Sequence, residues 1–127
     1  GSTNLDAWAV AGIEVDGAGA VDRIDRALGR GAITPERRAD LILALTVTGT
    51  ARPDLRPAIA PILHRESMLG AERAGAIAPT LYEWKDWTLT DHYRALLADA
   101  QLDPSTRYML TVMVDAALNL IAPLDEG

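Results

Sequence analysis

Apolar and polar residues follow one another along this chain with a helical period. Val21, Ile24 and Leu28 fall on one helical face, while Asp22 and Arg26 stand one turn apart on another, a spacing that pairs opposite charges. The punctuation is helical too. Thr34-Pro35 and Asp103-Pro104 each set a capping side chain before a proline at the first helical position, where its missing N–H costs nothing. Ala78-Pro79 repeats the proline without the cap, and Thr90-Asp91 brings an acid into a first turn, which suits the helix dipole. Gly29, Gly31, Gly49 and Gly75 read as stops. The pattern predicts helices over residues 3–11, 18–29, 35–48, 57–74, 79–87, 91–101 and 104–122, with Pro61 kinking or splitting the fourth. Beside the first, Ile13-Glu14-Val15 reads equally as a short extended piece. The expected fold is all-α: a compact bundle or orthogonal array of six or seven short helices. It forms a single domain over residues 1–127, with no repeat, low-complexity tract or long linker.

Two stretches are apolar on nearly every side, Leu41 to Val47 and Met109 to Ile121. A helix of that kind must be covered all round, and so small a chain can hardly cover two. A homodimer is therefore expected, with two central helices of a monomer as the alternative. Asp115 and Asn119, one turn apart on the last helix, are expected as a buried polar pair that fixes register or a dimer contact.

Composition narrows the class. The 127 residues are 49% hydrophobic and 24% charged, so the chain is globular and can bury roughly two-thirds of its unfolded surface. No apolar run reaches the roughly 20 residues that span a bilayer, and the N-terminus lacks the basic start and apolar run of a signal peptide. Gly1-Ser2 resembles a cloning scar. The absence of cysteine excludes disulfides and thiolate metal sites and fits a reducing cytoplasm. Two histidines without helical pairing make a metal site unexpected, and no cofactor is implied. A net charge of −6 argues against a broad phosphate-binding surface. Lys85 is the one lysine among many Arg and Ala residues, a bias of high-GC, actinobacterial-type genomes. Gly17-Ala18-Gly19 lacks the third glycine of a dinucleotide fingerprint, with Asp22 in its place. Phosphate-cradling loops, nucleophile elbows and metalloprotease helices are also missing.

One local motif carries a resemblance. Ala71-Glu72-Arg73-Ala74-Gly75, three residues, then Pro79-Thr80-Leu81-Tyr82-Glu83-Trp84 resembles the helix-turn-helix of TetR-type regulators. In those an Ala lets two helices pack, a Gly makes the turn, and Thr-Leu-Tyr opens the recognition helix. The resemblance covers only this segment. It implies that Thr80, Tyr82 and Lys85 face DNA while Ala71, Leu81 and Trp84 pack. An ordinary helical corner is the other reading of the same residues.

The aromatic composition suggests a different function. The chain has no Phe, yet Tyr82, Trp84, Trp87 and Tyr93 cluster together with His92. Trp and Tyr join an apolar face to a polar handle, the mix favoured at binding surfaces; closing a core is the other use for them. His64-Arg65-Glu66 sets a histidine beside a guanidinium and a carboxylate, capable of acid–base work or of gripping an anion. Neighbours on a helix point apart, however, so a solvated face is the competing reading. The expectation is a helical scaffold binding a small molecule or peptide through Tyr82, Trp84, Trp87, His92, Tyr93 and Arg65. Its catalytic candidates are His64, Glu66 and Asp115, and any catalysis would come mainly from holding the substrate in a reactive conformer. By size, composition and helical content, small tailoring proteins of actinobacterial peptide natural products illustrate the class, such as those closing lysinoalanine cross-links in lanthipeptides. The alternatives are a DNA-binding regulator and a protein-interaction or immunity factor.

Overall fold

The computed structural model describes residues 17–121, with side chains through residue 119. Every regular element among them is helical: α1 (Ala18–Leu28), α2 (Pro35–Ala51), a 3-10 turn (Pro53–Leu55), α3 (Arg56–Ser67), α4 (Ala71–Glu83), α5 (Thr90–Leu97) and α6 (Pro104–Ile121). The expected helix over 3–11 and the segment Ile13-Glu14-Val15 lie outside the described residues. No helix among the described residues is long and apolar enough to cross a membrane. The chain divides into two compact units, with the boundary between Ile62 and Leu63, inside α3.

In the first unit α1 packs on α2. The predicted face of α1 is the buried one, Val21, Ile24 and Leu28, and Asp22 pairs with Arg26 at 2.7 Å on the exposed side. Gly17 opens α1 at φ 58, a left-handed conformation that costs glycine nothing, and its carbonyl accepts the first turn's N–H groups from Ala20 and Val21. In the second unit α4 and α5 both pack on α6, burying Ala74, Ile77, Ala78 and Leu81 of α4, Tyr93 of α5, and Leu110, Met113, Val114 and Ala117 of α6.

One construction occurs in both units, although no repeat is evident from the sequence. Thr34 Oγ1 accepts from Arg37 N–H at 3.1 Å, and Asp103 Oδ2 accepts from Ser105 and Thr106 N–H at 3.0 and 3.1 Å. Pro35 and Pro104 follow these caps. Three residues further on, Arg38 and Arg107 each reach back ten residues to the end of the preceding helix. There Arg38 Nη2 donates to Leu28 O at 2.9 Å and Arg107 Nη1 to Leu97 O at 3.0 Å. A helix ends with four carbonyls that lack N–H partners, and a cation there also suits the dipole. Each corner thus caps one helix start and one helix end from a single short stretch.

Several boundaries differ from expectation. Gly49 does not stop α2, which continues to Ala51, because Arg56 takes over the exposed end: its Nε donates to Gly49 O at 2.7 Å and its Nη2 to Thr50 O at 3.3 Å. The helix expected over 57–74 breaks at Met68–Gly70, where Met68 and Leu69 N–H turn to the Arg65 and Glu66 carbonyls. Pro61 does not split α3. Gly75 and Pro79, expected as a stop and a start, both lie inside α4. Gly75 is there for packing: a Cβ would sit 3.0 Å from Thr106 Cγ2 of α6. Asp115 and Asn119 are exposed, so they form no buried polar pair; α6 turns this stripe away from its buried face. Both of the strongly apolar helices keep large apolar side chains exposed, Leu43 and Val47 on α2 and Tyr108 and Leu118 on α6.

Replacing Arg107 by Met should lower the unfolding free energy by about 1 kcal/mol in urea denaturation, since the Leu97 and Asp99 carbonyls lose a charged donor. Arg107→Lys should recover only part of it, because a single ammonium cannot reproduce the two-pronged contact.

Candidate functional site

α4 ends in a turn that sets the geometry of a histidine–aspartate pair in the second unit. Lys85 N–H donates to Tyr82 O at 3.0 Å and Asp86 N–H to Leu81 O at 2.8 Å, the paired bonds of a Schellman ending. That ending needs a left-handed residue, usually glycine. Lys85 occupies it at φ 57, the one non-glycine with positive φ among the described residues, at a cost of about 1 kcal/mol. The chain then reverses, and Asp86 is carried to the end of α3.

Asp86 Oδ2 lies 2.6 Å from His64 Nε2, and Asp86 Oδ1 accepts from Thr88 N–H at 3.1 Å. Both side chains are mostly buried, 22% exposed for His64 and 15% for Asp86. Burial pushes the Asp86 carboxyl up, but bonds from the Thr88 hydroxyl and N–H and from His64 more than offset this and hold it below the usual aspartate value. An ionised Asp86 fixes the imidazole as the Nε2–H tautomer donating to it. Nδ1 is then the nitrogen left with a lone pair, and it has no partner among the described residues.

Aromatic rings surround this pair in sequence. Tyr82 is substantially exposed and meets Trp87 edge to face, with centroids 5.9 Å apart. Trp84, Trp87 and His92 are half-buried. Thr90 Oγ1 donates to Trp87 O at 2.7 Å, tying the Trp87 backbone to the start of α5. Tyr93 is 1% exposed and belongs to the core, so it offers no ring face to solvent. Burial and the Asp86 charge both push its hydroxyl well above the ordinary tyrosine value. The Tyr93 hydroxyl and His92 Nε2 are enclosed without hydrogen-bond partners.

The other candidates scatter. Glu66 is 2% exposed and faces inward, with Arg73 Nη1 at 3.4 Å and Arg65 Nη2 at 3.9 Å, an internal ion cluster with Arg65 on its outer edge. Asp115 stands exposed on α6. Of the residues that the regulator resemblance points toward DNA, Tyr82 and Lys85 are exposed, but Thr80 is buried on the inner face of α4. Residues 71–83 are a single helix, without the turn at Gly75 that the resemblance implies. Sequence reasoning missed Asp86 and Thr88. The Asp-x-Thr spacing, an Asx-turn signature, could have flagged the turn, but the pairing with His64 spans 22 residues and leaves no local mark.

Elsewhere in this unit an open groove of about 510 Å³ is lined by Ala71, Glu72, Asp99, Gln101, Leu102, Asp103 and Thr106, and it shares no residue with the His64 corner. Asp99 and Asp103 already accept backbone N–H groups there. No group of three or more potential metal ligands assembles among the described residues. No protein-family model, curated protein or solved structure matches the chain.

Substituting Lys85 by Gly should raise stability by about 1 kcal/mol, read from the urea midpoint, because glycine takes the left-handed position without strain. Lys85→Val should do the opposite.

Proposed function

We propose that this chain is a helical scaffold that binds a small molecule or peptide at the corner between α4 and α5. The observation that carries this reading is the His64–Asp86 pair at 2.6 Å, next in the chain to Trp84 and Trp87 and to the exposed ring of Tyr82. Indole and phenol faces supply apolar contact at low entropic cost, and the imidazole supplies a directional polar handle. The positions are preorganised: the Schellman turn fixes Asp86, Asp86 fixes His64, and Thr90 fixes the Trp87 backbone. A rigid site of this sort can favour one conformer of a flexible ligand, which by itself accelerates a reaction within that ligand. A biosynthetic tailoring role on peptide-derived substrates fits that mode of action.

The test is calorimetric titration with short aromatic and linear peptides and with planar heteroaromatic metabolites. Trp87→Ala should weaken the best binder by about tenfold, the order of an interface aromatic, with an unchanged far-UV CD spectrum. Undiminished affinity in that variant would place binding elsewhere and overturn the proposal. Steeply salt-dependent binding to labelled duplex DNA would instead favour the regulator reading.

A further inference from the structure

We propose that His64 is a general base, its Nδ1 abstracting a weakly acidic proton from a ligand whose flat ring packs on the aromatic residues of the α4–α5 corner. This rests on the binding reading above and adds the chemistry of the bound group.

The case begins with which nitrogen is available. Nε2 is committed to Asp86 at 2.6 Å, so an incoming proton can be taken only by Nδ1. The carboxylate is committed as well, one oxygen to His64 and the other to Thr88 N–H. It therefore acts as a positioning residue that fixes the tautomer and shares the positive charge once the ring is protonated, the role a buried carboxylate plays behind a basic histidine. Placing it there requires the left-handed Lys85. Backbone strain retained beside a polar pair, where glycine would relieve it, is the pattern of a functional turn.

The nature of the reaction follows from what the site lacks in spare nucleophiles. Ser67 Oγ is fully buried and donates to Leu63 O at 2.8 Å, and Thr90 Oγ1 donates to Trp87 O at 2.7 Å. Thr88 meets Asp86 through its backbone N–H, and the chain has no cysteine. A base without a protein nucleophile beside it takes its proton from a water or from the ligand itself, and the ligand of this proposal supplies its own. The ligand class is a planar aromatic or heteroaromatic compound, or an aromatic peptide side chain, carrying an acidified C–H or N–H next to the ring. In the step, the Nδ1 lone pair takes the proton, the bonding electrons move into the ligand, and a leaving group internal to it departs with the electron pair. The imidazolium afterwards loses its proton to solvent, so no oxidant or co-reactant is consumed.

The probe is 5-nitrobenzisoxazole, a planar heteroaromatic. Loss of its ring C–H proton breaks the N–O bond and releases a coloured cyanophenolate. The full chain should accelerate this elimination above the buffer reaction, with His64→Gln reducing kcat/KM at least tenfold, the low end of a general base's contribution. Asp86→Asn should reduce it less. Long-range ¹⁵N–¹H NMR should show the Nε2–H tautomer of His64 in the native chain and its loss of preference in Asp86→Asn, and that variant should lower kcat with little change in KM, a split that a merely structural aspartate would not produce. Trp87→Ala should raise KM more than it lowers kcat. A native rate equal to buffer, or a rate retained by folded His64→Gln, overturns the inference. If calorimetry still shows the probe bound and released by Trp87→Ala, the binding reading survives that failure.

Discussion

Short helices have more ends per residue than long ones, and every end leaves carbonyls in need of donors. In this chain, whose described α-helices run from 8 to 18 residues, meeting that need shapes much of the architecture. Arg38, Arg56 and Arg107 each leave the start of one helix to close the end of another. The planar, permanently charged guanidinium suits the task, since it presents several donors in fixed directions. At the end of α4 the backbone closes on itself through a Schellman turn. That choice forces Lys85 into the left-handed region and carries Asp86 to His64. The geometry of the candidate site thus follows from the way this helix terminates.

The same corner shows how environment separates otherwise similar groups. Two carboxylates, Glu66 and Asp86, approach the end of α3. Glu66 is turned inward among arginines, where its charge is balanced within the protein. Asp86 is bonded to an imidazole that keeps part of its surface in solvent. Only the second arrangement pairs the carboxylate with a side chain that has a second ring nitrogen. Likewise Tyr82 and Tyr93 both belong to the aromatic cluster in sequence, yet one exposes its ring while the other is in the core with its hydroxyl enclosed.

Much of the fold was legible because its signals are local. The caps at Thr34 and Asp103, the prolines that follow them, and the apolar stripe of α1 need only a few residues to be read. What escaped is tertiary. Gly75 carries a turn signal in sequence, but in the structure it gives Thr106 room to approach α4. Gly49 stays helical because Arg56 supplies the donors its carbonyl and the next require. Asp115 and Asn119 looked buried because their neighbours are apolar, yet an outward stripe of α6 accommodates them. At the site, the aromatic residues and His64 stood out by type, whereas Asp86 became visible only through a contact 22 residues away.

The account depends on His64 and Asp86 interacting as a unit. A double-mutant cycle of His64→Ala, Asp86→Ala and the combined variant, measured by urea unfolding at neutral pH, isolates that interaction. A favourable coupling of about 1 kcal/mol or more is predicted for a largely buried, charge-assisted bond. Additive effects, with coupling within about 0.3 kcal/mol of zero, would contradict it.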